Sequence, residues 1–176
     1  MTKLLRMTCL AASVAATALT ATPAVAAPVG ASTPATARAR IVRPLTLTAT
    51  RNLDFGTITL GTVAAGGETV SMTTAGVVTC GAGGLTCSGT PVSAEYNVTG
   101  TNNQVVQIFS AAAPLTNAND GTTLSFTPTL PVGSTVTLTN SGAPGSDFEV
   151  GGSIVITPTT TDGVYSGNIN VTVDYQ

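Results

Sequence analysis

Apolar and polar residues alternate with a period of two along most of the chain from Ile41 onward. The clearest example places Ala94, Tyr96 and Val98 on one parity, with polar residues between and beyond them. Alternation of this kind predicts β-strands with one buried face, and each run is short and ends at a turn rich in Gly or Asn. Because the same region shows no helical periodicity, the pattern predicts an all-β domain folded as a β-sandwich.

Two stretches in the middle of the chain depart from plain alternation. Residues 105–109 (VVQIF) are apolar enough to predict a buried strand. Apolar pairs also flank Gly151 and Gly152, and a glycine pair inside a strand pattern predicts a bulge or a bend.

The last stretch, residues 163–176, carries the sharpest alternation of all. Polar Ser, Asn, Thr and Asp side chains share one parity, so the stretch predicts a single amphipathic strand. A bare apolar strand edge invites aggregation, and a strand supplied by another molecule would cover it. The sheet is therefore expected to be incomplete. The apolar residues of this stretch are Tyr165, Ile169, Val171, Val173 and Tyr175.

The first residues of the chain resemble an export signal. Lys3 and Arg6 precede an uncharged apolar run, and Ala24 to Ala26 supply the small residues that a signal peptidase reads. We therefore expect residues 1–26 to be a signal peptide and the mature protein to be secreted to the cell surface through the periplasm. Residues 27–40 are rich in Ala, Pro, Ser and Thr and predict a flexible extension, and residues 41–176 form the sandwich domain. No later run is apolar enough to predict membrane insertion.

Two cysteines remain after cleavage of the signal peptide, Cys80 and Cys87. An even pair in an oxidising compartment, separated by a Gly-rich loop, predicts a disulfide. Two cysteines without any histidine leave too few ligands for zinc, and the spacing is not that of a redox C-x-x-C motif.

The charged residues are few and unevenly distributed. Downstream of the signal peptide, all positive charge lies between Arg38 and Arg51, and all eight acidic residues follow Arg51. This balance excludes nucleic-acid binding and adhesion to an anionic membrane, both of which need basic clusters. A basic front and an acidic body can attract each other between copies of one chain, although the separation could also arise by chance in a chain with so few charges.

The composition argues against an enzyme and against a metal or cofactor site. The chain has no His to act as a general base, and its only Lys lies in the signal peptide. Asp147 and Glu149 share a strand but are interpreted as solvated acids, since a glycosidase site needs a cleft with aromatic walls. Residues 117–121 (NANDG) have the wrong spacing for a calcium loop and predict Asx-type turns.

The terminal stretch resembles the C-terminal strand of subunits of chaperone–usher pili. Those subunits have a glycine fourteen residues from the C-terminus, alternating apolar residues and a penultimate tyrosine, which Gly163 and Tyr175 match here. The resemblance implies an immunoglobulin-like, pilin-like sandwich that lacks one strand, filled by the N-terminal extension of the next copy. It also implies a periplasmic chaperone and an outer-membrane usher as partners.

From residue 41 onward the chain also resembles a family of secreted bacterial proteins known as domain of unknown function 4402. That family name implies no activity. The stretches that carry the resemblance are IVRPLTL (41–47), LDFGTI (53–58), FEVGG (148–152), GVYSG (163–167) and VTVDY (171–175).

The inserted strand implied by the pilin resemblance would come from the extension. Ala35, Ala37, Ala39 and Ile41 have the spacing of two that it requires, although the same residues could belong to a plain linker followed by an ordinary first strand. The leading hypothesis is a structural subunit of a surface fibre assembled by donor-strand exchange. The alternatives are a self-contained secreted or coat protein and a carbohydrate-binding or adhesin module, the latter disfavoured because Trp is absent.

Overall fold

A computed structural model describes residues 26–176. The predicted signal peptide lies outside the described residues except for Ala26. A compact domain runs from Arg40 to Gln176. Residues 26–39, which precede it, form no strand and have exposed side chains.

The domain is built from thirteen strands and contains no α-helix, and a single short 3-10 turn lies at Val132–Ser134. The strands are β1 (Thr46–Arg51), β2 (Thr57–Leu60), β3 (Glu68–Met72), β4 (Val78–Thr79), β5 (Leu85–Ser88), β6 (Ala94–Thr99), β7 (Val105–Ser110), β8 (Ala113–Asn117), β9 (Thr123–Thr129), β10 (Thr135–Thr137), β11 (Ser146–Ile156), β12 (Tyr165–Ser166) and β13 (Val171–Tyr175).

The strands form one large sheet and two small ones. The main sheet has the order β1-β6-β11-β9-β8-β12, with β3 and β4 branching from β11. The second sheet has the order β10-β7-β13, and β2 pairs with β5 as a two-stranded ribbon. All pairs are antiparallel. The fold is thus all-β and sandwich-like with incomplete sheets, as the sequence predicts.

Two hydrophobic cores lie within the domain. One is centred on Val70, Met72 and Phe126, and the other on Val98, Val106 and Val150. The inward parity of β6 supplies Ala94, Tyr96 and Val98 to the second core, as the alternation predicts. Half-buried Leu53 and Ile169 pack against both cores and so connect them.

Strand β11 is continuous through the glycine pair at which the sequence predicts a bulge or bend. Its first five residues pair with β6, and its later residues pair with β3 and β9. At Gly152 the Phe126 ring lies so close to the backbone that a Cβ atom would be 2.2 Å from it. The glycine therefore admits an aromatic side chain to the core and does not interrupt the strand.

The terminal stretch is not one strand, which corrects the sequence-based prediction. Tyr165 lies in β12 of the main sheet and Val171–Tyr175 forms β13 of the second sheet, with irregular backbone between them. The stretch therefore crosses from one layer of the sandwich to the other. The predicted alternation persists across the crossing, because Tyr165 and Ile169 are half-buried and their neighbours are exposed.

Two other local predictions need revision, and one strand was not predicted at all. Ile41 precedes the first strand, which begins only after Pro44, and its side chain is 91% exposed. Strand β7 is amphipathic, with Val106 and Ile108 inside and Phe109 exposed, because only one of its faces meets the core. Strand β8 was not predicted from the sequence, since Pro114 and small residues obscure its pattern.

The predicted disulfide between Cys80 and Cys87 is confirmed, with an S–S distance of 2.07 Å. It joins β5 to the residue that follows β4, and Glu68 on β3 accepts hydrogen bonds from the Gly84 amide inside the closed loop at 2.9 and 3.1 Å. The bridge thereby fixes the β2–β5 ribbon beside the main sheet.

Candidate functional site

An open cleft of about 1080 Å³ lies in the domain between the ribbon and the terminal stretch. One wall is formed by residues 49–60 and the other by residues 160–170. The floor is the inner face of the main sheet, which contributes apolar side chains from four strands. The floor residues are Ala94, Tyr96, Leu115, Leu124, Phe126, Ile154 and Ile156.

The apolar side chains on the walls of the cleft are only partly covered. Ala49 lies on the inward parity of β1, opposite Tyr96, and is nevertheless exposed. Leu53 and Ile169 are half-buried. In a closed sandwich these positions would meet a facing strand, so their exposure marks a layer from which a strand is missing.

Two strands that line the cleft have one edge without a ladder partner among the described residues, namely β2, which pairs only with β5, and β12, which pairs only with β8. Strand β13 directly follows the wall at residues 160–170 and also has one such edge, because it pairs only with β7. Unpaired edges present backbone donors and acceptors to any extended chain that approaches.

The orientation of the β13 backbone can be read from its ladder. The Gln176 amide donates to the Val105 carbonyl at 3.1 Å, so residues of even number exchange hydrogen bonds with β7. Because the ladder alternates, the N–H and C=O groups of Val171 and Val173 face the open edge. Their side chains face inward and are half-buried. This edge can therefore bind a strand through its backbone while the inward side chains contact that strand's apolar face.

Tyr96 connects the floor of the cleft to its wall. Its hydroxyl donates a hydrogen bond to the carbonyl oxygen of Ile169 at 3.3 Å, and its ring stacks on Phe148 with centroids 5.6 Å apart. Burial raises the pKa of Tyr96, which keeps the phenol protonated as a donor. The contact attaches the irregular backbone between β12 and β13 to the floor of the cleft.

The C-terminal strand is joined to the residues that lead into β1. The Tyr175 hydroxyl donates to the Arg43 carbonyl at 2.7 Å and accepts from the Thr101 amide at 2.8 Å. Arg40 donates to the carbonyl oxygen of Gln176 at 2.9 Å and also contacts Gln104. The residues that precede β1 are thus fixed against the end of β13, outside the lining of the cleft.

A polar network fixes the start of the wall formed by residues 160–170. Asp120 accepts hydrogen bonds from the Thr122 amide at 2.9 Å and from Thr161 at 2.8 Å, and these contacts lower the pKa of Asp120. Asn117, which is fully buried, donates to the carbonyl oxygen of Asp162 at 3.1 Å and accepts from the Asn119 amide. The Asx-type turns predicted for residues 117–121 are therefore present.

Gly163 matches the glycine of the C-terminal pattern of pilus subunits. It lies beside Asn117 in this network and not in a strand. Its φ of +147° and the absence of space for a side chain both require glycine. A Cβ atom there would be 2.3 Å from the side-chain oxygen of Asn117.

The charged residues of the cleft are Arg51, Asp54 and Asp162. Arg51 is already paired, with Glu149 at 2.6 Å and Glu95 at 3.5 Å. Asp54 and Asp162 are exposed and form no salt bridge with any described residue. Each wall of the cleft therefore carries one carboxylate that has no salt-bridge partner among the described residues.

The family model for Domain of unknown function (DUF4402) matches residues 45–175. The chain belongs to this family. No curated protein and no solved structure matches the chain significantly. The matched range in this DUF4402 chain includes both walls and the floor of the cleft, and it excludes residues 27–40.

The residues predicted for strand exchange separate into two groups in this DUF4402 protein. Ile169 lines the cleft, Tyr165 and Gly163 form its wall, and Val171, Val173 and Tyr175 continue along the β13 edge. Ala35, Ala37 and Ala39 are exposed and belong to no strand. Ile41 is also exposed and lies between Arg40 and Arg43, which are held by hydrogen bonds to Gln176 and Thr101.

The wall formed by residues 49–60 was not predicted as part of the site. Leu53 and Phe55 carry a strand pattern in the sequence, but only the pairing of β1 with β6 and of β2 with β5 places them beside the cleft. Sequence alternation gives no signal for which strand neighbours which.

Residues 26–176 contain no group of three or more His, Cys, Asp or Glu side chains placed to hold a metal ion. Within the same range, no helix has the length and apolarity needed to cross a membrane.

Proposed function

We propose that this DUF4402 protein is a structural subunit of an extracellular surface fibre in which each copy inserts its extension into the cleft of the next. The observation that carries the proposal is the cleft itself. It has an apolar floor and partly covered walls, none of the residues from Arg40 to Gln176 fills it, and the wall at residues 160–170 leads directly into β13, one edge of which has no ladder partner among the described residues.

The occupant we propose is residues 27–41 of a second copy, with Ala35, Ala37, Ala39 and Ile41 turned inward. An antiparallel β-ladder along β13 would contribute about 1 kcal/mol net for each hydrogen bond. The alanine methyl groups contribute less than large side chains would, at about 0.8 kcal/mol per buried carbon group. Backbone pairing therefore supplies much of the stabilisation of the inserted strand.

A strand that binds through its backbone can also come from a different protein. We propose that a periplasmic chaperone covers the β13 edge before assembly and that an outer-membrane usher accompanies export, as the resemblance to pilus subunits implies. Such protection is physically necessary, because an exposed apolar strand edge aggregates. No catalytic activity, metal or cofactor is part of the proposal.

The test is electron microscopy and light scattering of the mature chain, residues 27–176, beside a self-complemented variant. The variant carries a second copy of residues 27–41 after Gln176, joined by a flexible Gly/Ser linker. We expect the mature chain to form filaments. The variant should stay monomeric and melt at a higher temperature, because its own added strand fills the cleft.

A matched control carries the same added segment with Ala35→Asp, Ala37→Asp and Ala39→Asp in the added copy only. Charged side chains cannot enter an apolar cleft, so this control should assemble and melt like the unmodified chain. If the mature chain is a stable monomer and the added segment changes neither property, the protein is a self-contained secreted or coat protein and the proposal is wrong.

A further inference from the structure

A second, smaller depression of about 260 Å³ lies beside the cleft. Its lining consists of residues 122–125, Val155, Tyr165 and four threonines of the segment that follows β11. Residues at the start of the wall formed by residues 160–170 line both the depression and the cleft. Eight of the ten lining residues carry a hydroxyl group and none is charged, so the depression differs in chemistry from the apolar floor of the cleft.

Three of these hydroxyl groups form a triangle of oxygen atoms. The Thr122 and Thr161 oxygens are 2.9 Å apart, and the Tyr165 oxygen lies 3.2 Å from the first and 3.1 Å from the second. Thr122 and Thr161 contact the Asp120 carboxylate at 2.7 and 2.8 Å, and an ionised carboxylate can only accept, so both hydroxyls donate to it. Tyr165 likewise donates to the carbonyl oxygen of Thr161 at 2.9 Å. All three protons therefore point away from the triangle, which is left with lone pairs and can bind a donor from outside.

The charge beside the triangle favours a neutral donor. Asp120 already accepts three hydrogen bonds, from the Thr122 amide and from the two threonine hydroxyls, so only about one of its four lone-pair sites remains for a cation. An anion would bring further acceptors to the triangle and would be repelled by Asp120. A sugar hydroxyl is a neutral donor, and it can also accept from the other hydroxyl groups of the lining.

The surroundings of the triangle also fit a sugar ring. The depression is close in size to one monosaccharide, and Val155, which is 47% exposed, offers an apolar contact to the C–H groups of a ring. The outward positions of β8 and β9 beside it carry no charged side chain. A chain of sugars could therefore continue across this face without desolvating a charge.

We propose that this depression binds a neutral carbohydrate, with the Thr122, Thr161 and Tyr165 oxygens accepting hydrogen bonds from sugar hydroxyls. Recognition through hydroxyl groups does not need the tryptophan that this chain lacks. The site uses no residue of the extension, so it is independent of strand exchange and holds for a single chain as well as for a fibre.

Saturation-transfer difference NMR on the mature chain, residues 27–176, tests the site, because it detects weakly bound sugars on monomers and filaments alike. The probes are the methyl glycosides of glucose, mannose and galactose, with methyl glucuronide and methyl glucosaminide as the charged counterparts. We expect saturable transfer to at least one neutral glycoside and none to the glucuronide. Transfer to none of the three neutral glycosides overturns the proposal, and transfer to the protonated glucosaminide alone would show a cation site and overturn it too.

Matched variants assign the bound sugar to the depression. Thr161→Val removes one acceptor of the triangle and should weaken binding about fivefold, the equivalent of one lost hydrogen bond. Ser125→Ala removes a lining hydroxyl from an exposed position of β9 without disturbing the triangle, and should also weaken binding. Thr127→Val lies on the same outward face of β9 but outside the lining, and should leave the affinity unchanged. A sugar affinity that is the same in all three variants would contradict the assignment.

Discussion

Ile154 on the floor of the cleft and Ile169 on its wall are chemically identical side chains that are buried to very different extents. Ile154 on β11 has β3 on one side and β9 on the other, and 4% of its surface is exposed. Ile169 lies on the wall of the cleft, in irregular backbone, and is half-buried although it packs against both cores.

The difference shows that alternation in the sequence creates an apolar face but does not bury it. Burial requires a second layer of strands opposite that face, and the second sheet and the ribbon leave the region between them uncovered. The packed floor stabilises the fold, whereas the wall retains apolar surface that another chain can use. Four measurements test this contrast.

The largest effect is expected from matched truncations of the two isoleucines. Ile154→Ala should lower the free energy of unfolding by about 2–5 kcal/mol, because it leaves a cavity in a packed core. Ile169→Ala should cost less than about 1.5 kcal/mol in the isolated domain, where its side chain is already half in water. Urea denaturation measures both values, and equal costs would contradict the contrast.

Removal of the disulfide tests the wall formed by the ribbon. The double variant Cys80→Ser, Cys87→Ser should lose about 2–3 kcal/mol of unfolding free energy, because the unfolded chain regains the freedom of the closed loop. The urea midpoint of the unmodified protein under reducing conditions should shift to the same value. A variant as stable as the oxidised protein would show that the ribbon is held in place by packing alone.

Tyr175→Phe tests the contact between β13 and the residues that lead into β1. The change removes the hydroxyl that joins the Arg43 carbonyl to the Thr101 amide, and we expect the free energy of unfolding to fall by about 1 kcal/mol in thermal or urea unfolding. Amide hydrogen exchange should then increase at Thr101. Unchanged exchange at Thr101 would mean that the hydroxyl does not hold these segments together.

The smallest change in stability is expected at Asp120, which accepts a hydrogen bond from Thr161 on the wall of the cleft. Hydrogen bonds from Thr122 and Thr161 lower the pKa of Asp120 below 3.8, so its ionised form is favoured in the folded state. The resulting stability is present above pH 3.8 and is lost as the pH falls through the folded-state pKa. The difference in melting temperature between the unmodified protein and Asp120→Asn should therefore shrink between about pH 6 and about pH 2. A difference that is constant over this range would contradict the assignment.

Much of the fold follows from the sequence because the alternation of apolar and polar residues along a strand is a local property. The inward positions of β6, the half-buried parity of the terminal stretch and the Cys80–Cys87 bridge all agree with the structure. Strand β8 was missed because Pro114 interrupts its pattern, and the reason for the glycine pair in β11 was not visible because no local pattern reveals the Phe126 ring packed against Gly152.

The site was harder to predict because it depends on which elements become neighbours. The sequence identified one wall of the cleft through Ile169 and the residues around it. The opposite wall, with Leu53 and Phe55, faces the cleft only because β1 joins the main sheet and β2 joins the ribbon. Those pairings connect residues tens of positions apart, and no local pattern encodes them.

By itself the amino-acid sequence determined an all-β chain with alternating faces, a disulfide and a basic segment ahead of an acidic body, because each depends only on residue type and spacing. The tertiary structure alone decided that the terminal stretch divides between two sheets, that a cleft opens beside it and that residues 49–60 form its opposite wall. The physical reason is that strand pairing is a choice among distant partners, made by the total burial and hydrogen bonding of the whole domain.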